Sequence, residues 1–463
     1  MNPRLEFSPE RMRDIGYRVV DRLVEHLATL PSQPVGAKGD PAQLLAALIE
    51  PAPEQEMEFE AVLQQLECDI LRNTMHVNHP RFFAYVPGPG NFVSAMADAL
   101  ISGYNVFAGT WISGSGPAAV ELAVIEWLRS ACGFPRGSGG LFVSGGTMAN
   151  LTALAVARHI ALADRLDAAT VYFSDQAHSS LEKALRLIGL PPENVRKVAS
   201  DADYRLPVRQ LQRVIEQDQA AGKRPFCVIA SAGTTNTGAI DPLGELSRLC
   251  KDQNLWLHVD GAYGAAAMIC DRGRELLAGL ELADSLSLDP HKWLFQPFEI
   301  GCVLVRDLAH LRNTFLILPE YLKDTHQYSA EFNFTDHGLQ LTRGFRALKL
   351  WMSIKVFGMA AFRAAVECGF ELAEFTEARL RKMPGWEIVT PAQMGIVCFR
   401  YATADDAAHL RLVQTILKDG FALITSTVLH GRTVLRTCTI NPRTTQADIE
   451  ETLDRLDRLA RSQ

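Results

Sequence analysis

The sequence predicts an α/β protein organised on a mostly parallel, seven-stranded sheet, with a helical segment before it and a small α+β domain after it. Two observations carry this. Between Leu141 and Val305, short apolar runs alternate with amphipathic stretches of helical length, the pattern of strands covered on both faces by crossover helices. After Gly338 the pattern becomes one long helical stretch followed by short strands. The divisions read as a helical segment over residues 1–85, a large domain over 86–340 and a small domain over 341–463.

The chain has 463 residues, 48% hydrophobic and 21% charged, which is ordinary for a globular protein with more than one core. A net charge of -7 without any basic run argues against a nucleic-acid or anionic-membrane binder. No apolar stretch is long enough to span a bilayer, and Met1 to Glu10 lacks the apolar segment of a secretory signal. The 9 cysteines are odd in number and show no CxxC spacing, so free thiols in a reducing cytoplasm are expected. No His, Cys and carboxylate set has metal-ligand spacing, and no metal is expected.

In chain order, Ser8-Pro9-Glu10 opens a helix by N-cap, first-turn proline and first-turn acid. Met12, Ile15, Val19, Leu23, Leu27 and Leu30 give it one narrow apolar face. Helical stretches follow near Leu44–Ile49 and Glu58–Arg72. Such a face needs another surface, either the rest of the chain or a second subunit. His79 to Gly88 and Gly103 to Trp111 are aromatic-rich and read as extended. Pro117 opens an amphipathic helix to Cys132.

The large sheet is expected from Leu141–Val143, Thr170–Phe173, Val195–Ala199, Pro225–Ala230, Leu257–Asp260, Leu282–Leu288 and Ile300–Val305. Helices between them are expected at Ala149–Leu166, His178–Leu187, Pro207–Ala221 and Pro242–Gln253. Leu341–Met383 reads as a long helix. The closing strands are Trp386–Val389, Ile396–Tyr401, Phe421–Ile424 and Thr433–Arg436, before a final helix over Thr445–Arg461.

The chemistry gathers where these strands end. Lys292 follows the apolar run to Leu288, within Asp289-Pro290-His291-Lys292-Trp293. A lone lysine past a strand is ordinarily a surface group. Asp260 ends another apolar strand, within His258-Val259-Asp260-Gly261-Ala262. An acid and an amine at strand ends of one parallel sheet face the same crevice. Together they suit pyridoxal 5'-phosphate (PLP): the lysine bonds the aldehyde, and the acid keeps the pyridine nitrogen protonated. Ser144-Gly145-Gly146-Thr147 joins a strand to a helix N-terminus, which makes an anion seat for the phosphate. His178, at a third strand end, is flat enough to stack on the ring. Ser231 to Gly238 is a hydroxyl-rich loop that would form another wall, with Asp241 just beyond.

Over nearly its whole length the chain resembles the group II PLP-dependent amino acid decarboxylases, and most the aromatic-L-amino-acid decarboxylases. The resemblance rests on FFAYVP, SDQAHSSLEKA, WLHVDGAYG, ADSLSLDPHKWL, LPEYLKDTHQ and RGFRALKLWM. DQAHSS, HVDGAY and DPHKW in this order are a specific combination. It implies the aminotransferase-like fold of PLP enzymes (fold type I) and a homodimer with its active site at the subunit interface.

Residue by residue, it implies Lys292 as the Schiff-base lysine and Asp260 as partner of the pyridine nitrogen. His178 and Ala262 would lie on opposite ring faces. Gly146 and Thr147 would hold the phosphate, with His291 close by and Asp289 where many relatives place Asn. Thr235 would sit near the ring substituents or the substrate carboxylate. Tyr321 would return a proton to the substrate carbon after CO2 leaves, from a mobile loop whose polar continuation to Thr335 would act as a lid. Relatives with Phe there tend to release aldehydes, so Tyr321 implies an amine product.

Tyr85, Val86 and Pro87 match a wall of the side-chain pocket, Phe107 and Trp111 a contribution from the neighbouring subunit, and Thr342 a position that tunes ring choice in plant relatives. Gly109 stands where animal relatives have a bulky aromatic and Gly88 where they have a hydroxyl residue, a loss of bulk that would widen the pocket or alter the class of substrate. Arg436 would lie near the substrate carboxylate. The expected activity is decarboxylation of a tryptophan, tyrosine, phenylalanine or dopa type substrate. The alternatives are an acidic or diamino substrate, for which Arg81 is the residue to watch, transamination, an aldehyde synthase, and a non-enzymatic scaffold.

Overall fold

A computed structural model describes residues 5–317 and 331–462 of the chain. Tyr321 and most of the expected lid lie outside the described residues.

Helix α1 (Pro9–Thr29) begins as expected, with Ser8 accepting from the Arg11 N–H at 3.3 Å. None of its residues is buried, so among the described residues its apolar face is only partly covered. Asp40 caps α2 (Pro41–Leu48). The third helix, α3 (Phe59–Gln65), is shorter than its apolar pattern and continues as a π turn and a 3-10 turn to Asn73. The aromatic segment after His79 is extended and docks on the small domain. There the Phe83 N–H donates to the Leu423 carbonyl at 2.8 Å.

Helix α4 (Phe92–Tyr104), capped by Asn91, has no counterpart in the sequence reading. Helix α5 (Trp111–Ala131) starts at Trp111 and not at Pro117. Its backbone leaves helical geometry at Gly114 (φ -157°, ψ 56°), and Pro117 falls in the turn that follows the break, where a missing N–H is tolerated.

The large sheet contains β1 (Gly139–Val143), β2 (Ala169–Ser174), β3 (Val195–Val198), β4 (Arg224–Ser231), β5 (Trp256–Asp260), β6 (Ser285–Leu288) and β7 (Gly301–Val305). Helices α6 (Gly146–Leu162), α7 (Ser180–Leu187), α8 (Val208–Ala220), α9 (Leu243–Asp252) and α10 (Asp271–Leu276) run between the strands. The strand order is β1-β7-β6-β5-β4-β2-β3. Pairings from β6 through β3 are parallel, whereas β7 is antiparallel to both neighbours. The sheet is therefore mixed. A parallel return needs a crossover, usually a helix; the link from Asp289 to Ile300 contains none, so β7 runs back beside β6.

Every residue of β1, β2, β5, β6 and β7 is buried. Successive side chains feed two cores: Val228, Leu257 and Leu304 pack on one face, Ile229, Trp256 and Val303 on the other. Each such buried Val, Leu or Ile contributes roughly 1.5–3 kcal/mol, which fixes the strand ends that carry polar groups. The expected strand start at Leu282 is corrected: Leu280–Leu282 is a 3-10 turn and β6 begins at Ser285.

After α11 (Ala309–Phe315) comes α12 (Ala347–Arg381), which starts later than Leu341 and is broken at Gly358 (φ 77°, ψ 153°). The small sheet, in order β10-β11-β9-β8, is antiparallel. It consists of β8 (Trp386–Gln393), β9 (Ile396–Tyr401), β10 (Thr425–Leu429) and β11 (Arg432–Cys438), with α13 (Asp406–Asp419) and α14 (Gln446–Arg461) against it. The expected strand at Phe421–Ile424 is displaced to Thr425–Leu429. The apolar run before it is instead buried beneath the extended segment, where Leu423 bridges Phe82. No helix among the described residues is long and apolar enough to cross a membrane.

Candidate active site

A cavity of about 400 Å³ opens at the C-terminal ends of the parallel strands. Each wall follows a strand: the Ser144–Met148 turn after β1, His178 after β2, Gly233–Thr235 after β4, Asp260 at the end of β5, and Asp289 to Lys292 after β6. All residues expected to hold a cofactor line it: Gly146, Thr147, His178, Thr235, Asp260, Ala262, Asp289, His291 and Lys292.

Lys292 Nζ lies 3.0 Å from Asp289 Oδ2, one turn earlier in the same segment. Asp289 is 1% exposed, and its Oδ1 is buried with no hydrogen-bond partner among the described residues. His291 Nδ1 accepts from the Ile300 N–H at 3.2 Å, which leaves its proton on Nε2, 3.6 Å from Asp289 Oδ2. Burial lowers the His291 pKa below the ordinary histidine value, so the ring is neutral at physiological pH.

Asp260 is held by three donors. Ser287 Oγ (3.0 Å) and the Ala262 N–H (3.2 Å) reach Oδ1, and Asn150 Nδ2 (3.0 Å) reaches Oδ2. His178 Nδ1 accepts from Ser180 Oγ at 2.8 Å and from the Ser180 N–H at 3.2 Å. Its proton is therefore on Nε2. Burial again pushes the pKa down, more than nearby Asp260 raises it. His178 is thus a neutral N–H donor, not an imidazolium.

The phosphate seat tests the fit to PLP. The first N–H groups of α6 have no intrahelical acceptors, and the helix dipole favours an anion there. A Cβ on Gly146 would lie 2.8 Å from Asp289 Oδ2 and 3.0 Å from Ala262 Cβ, so only glycine lets the helix start this close. Bare helix N–H groups, a strand-end amine, a carboxylate fixed by three donors and a neutral imidazole fit the phosphate, aldehyde, ring nitrogen and ring face of that cofactor.

The residues expected to contact substrate are placed differently. None of Tyr85, Val86, Pro87, Phe107, Trp111 and Thr342 lines this cavity. Tyr85 and Thr342 are exposed, and Pro87 is buried. The two glycine departures open no space. A Cβ at Gly109 would meet Phe107 Cζ at 2.5 Å and Thr335 Cγ2 at 2.8 Å; one at Gly88 would meet the His291 carbonyl at 2.4 Å. Arg436 donates to the Tyr85 carbonyl (2.7 Å) and the Asn236 carbonyl (3.3 Å), tying the small sheet to both. Arg81 is paired with Asp448.

Asn150, Ser180, Tyr263 and Glu299 also line the cavity, unmarked by the sequence reading. Asn150 stands four residues after Gly146 and so on the same helix face, a signal the sequence did contain.

Comparison with known proteins points to one family. Residues 41–402 match the pyridoxal-dependent decarboxylase conserved domain. An aromatic-L-amino-acid decarboxylase of Bacillus atrophaeus is 46% identical, covering 99% of this chain and 98% of its own. A phenylacetaldehyde synthase of Arabidopsis thaliana is 30% identical over 96% of this chain and 94% of its own. The crystal structure of Oryza sativa TDC with PLP and tryptamine superposes with a TM-score of 0.93 at 28% identity, covering 99% of each chain. The chain belongs to the pyridoxal-dependent decarboxylase family. It is a PLP-dependent carboxy-lyase acting on an amino acid.

Proposed function

We propose that the chain converts aromatic L-amino acids to the corresponding amines and CO2. One observation carries the choice of side chain: among the described residues lining the cavity, Lys292 is the only Lys or Arg. An acidic side chain would find no second cation. A diamino side chain would find Glu299, already paired with Arg346 at 3.0 Å. An aromatic ring needs neither, and the name of the Bacillus relative supports the reading.

Bound here, PLP supplies an electron sink for the pair left on Cα when CO2 departs. The chain's own groups do the rest. Lys292 anchors the cofactor through its amine, and Asp260 keeps a proton on the ring nitrogen. Gly146 and Thr147 seat the phosphate, with Asp289 and His291 beside it. His178 and Ala262 enclose the ring, and Thr235 borders it. Tyr321 delivers a proton to Cα, which favours an amine over the aldehyde implied by the name of the Arabidopsis relative.

The active enzyme is a homodimer in this reading. The support is the apolar face of α1, where Met12 is 54%, Val19 37% and Leu23 37% exposed. Phe107 and Trp111 would then serve the partner's cavity, and Tyr85, Val86, Pro87 and Thr342 would border the side-chain pocket. A cytoplasmic location is supported by the nine unpaired cysteines.

The test is to incubate holoenzyme with L-tryptophan, L-tyrosine, L-phenylalanine, L-dopa, L-glutamate and L-2,4-diaminobutyrate and to identify products by mass. Aromatic amines are expected. Preferential turnover of glutamate or diaminobutyrate, or aldehyde as the main product, overturns the proposal.

A further inference from the structure

Behind the cavity runs a series of hydrogen bonds that the reaction does not by itself explain. Trp256 Nε1–H donates to Ser285 Oγ at 2.9 Å. Ser285 Oγ lies 2.9 Å from His258 Nδ1, and His258 Nε2 lies 3.0 Å from Asn150 Oδ1. Asn150 Nδ2 lies 3.0 Å from both Asp260 Oδ2 and Ser180 Oγ. Ser180 Oγ in turn reaches His178 Nδ1. Asn150, His258 and Ser285 are wholly buried.

The directions of these bonds are determined. Asp260 accepts only, so the amide group of Asn150 must face it with nitrogen; the flipped amide would set oxygen against carboxylate. Both amide hydrogens are then used, one on Asp260 and one on Ser180. The Asn150 oxygen must accept, so His258 carries its proton on Nε2. His258 Nδ1 accepts from the Ser285 hydroxyl, whose oxygen accepts from Trp256. On the cavity side, Ser180 accepts from Asn150 and donates to His178. Every donor points from Trp256 toward the cavity. Burial keeps His258 neutral by pushing its pKa well below the ordinary value, the charge state this direction requires.

We propose that Asn150 is a positioning residue that couples the two groups flanking the cofactor, fixing the Asp260 carboxylate directly and the His178 tautomer through Ser180, while His258 sets the orientation of the amide. This rests on the roles assigned above to Asp260 and His178. It makes α6 serve twice: its first turn seats the phosphate and its second turn aligns the partner of the ring nitrogen. The distance between those two functions is then set by helix geometry.

The experiment measures two quantities on Asn150→Leu, His258→Leu, His258→Gln and Asp260→Asn. One is the dissociation constant of PLP from apoenzyme by equilibrium dialysis. The other is the pH midpoint of the bound cofactor's visible absorbance. Asn150→Leu is expected to weaken PLP binding at least tenfold and to move the midpoint. His258→Leu should move both in the same sense. His258→Gln, which keeps an N–H near the Nε2 position, should restore the wild-type midpoint. A purely structural role for the histidine predicts no such rescue.

Wild-type binding and midpoint in Asn150→Leu, alongside weakened binding in Asp260→Asn, would overturn the coupling alone. Wild-type behaviour of Asp260→Asn would instead overturn the role of Asp260. If Asn150→Leu does not fold, the His258 pair decides: equal midpoints in the Leu and Gln variants refute the proposal.

Discussion

Arg81 Nη1 lies 3.0 Å from Asp448 Oδ1, and the same guanidinium donates to the Phe421 and Pro31 carbonyls. Both side chains are nearly buried, at 10% and 13% exposure. Arg81 thus clamps the N-terminal segment to the small domain and is not a receptor for an acidic substrate. Arg81→Gln should lower stability by about 2 kcal/mol, since it removes the guanidinium that joins Asp448 to the Phe421 and Pro31 carbonyls, while Asp448 keeps its Thr445 donors. KM should stay within twofold of wild type. Denaturant titration and steady-state kinetics measure the two, and a KM effect without a stability effect would return Arg81 to the active site.

Gly146 carries a prediction of a different kind. Its Cβ-free backbone faces Asp289 Oδ2 and Ala262 Cβ. Gly146→Ala should lower the melting temperature somewhat, because the added methyl must push against the buried Asp289 carboxylate and Ala262. It should raise the PLP dissociation constant about tenfold, equivalent to roughly 1.4 kcal/mol. Fluorescence titration of the apoenzyme measures this, and unaltered affinity would move the phosphate away from this turn.

Tyr321 tests the product. Tyr321→Phe should retain the cofactor while amine formation falls by about 10²–10⁴, the usual worth of a positioned proton donor. Mass analysis should show aldehyde gaining at the expense of amine. Undiminished amine output removes Tyr321 from the reaction.

His79 gives a pH dependence. It accepts from the Arg81 N–H at Nδ1 (3.0 Å) and donates from Nε2 to the Gln33 carbonyl (3.0 Å). Burial, then the Arg81 charge, lowers its pKa to about 4. The unfolded chain therefore binds more protons between about pH 6.5 and 4, and stability rises with pH across that window. The contribution is fully present above 6.5 and is lost as pH falls toward 4. It amounts to at most roughly 3 kcal/mol. Urea midpoints from pH 4 to 8 should show this slope, and His79→Gln should flatten it.

The strand-end residues were legible in the sequence because apolar runs bounded by turns place Asp260 and Lys292 without knowledge of packing. Strand direction was not. A strand buried on both faces, such as β7, reads the same whichever way it runs. Helix α4 escaped because FVSAMADALISGY is rich in small residues and presents no strong periodic face. Phe421–Ile424 differs from the expected strand because its apolar character serves burial beneath the extended segment, with a single bridge at Leu423 and no place in the four-stranded sheet. Asn150 and His258 lie at readable offsets from Gly146 and Asp260, but nothing in their spacing says that they meet each other. The apolar face of α1 is visible in the sequence; that it is left largely exposed among the described residues is visible only in the structure.

The reversed course of β7 has a consequence for the reactive lysine. Residues 289–300 leave one strand and rejoin the strand beside it, so Lys292 rides on a span tethered at both ends to the middle of the molecule. Trp293, wholly buried and stacked on Tyr263 at 5.3 Å, is its keel. Local fraying cannot carry the amine away from its carboxylate neighbour. The hydrogen-bonded amides of Lys292, Phe295 and Gln296 should exchange with solvent far more slowly than those of exposed Phe298 and Glu299 at the far end of the span.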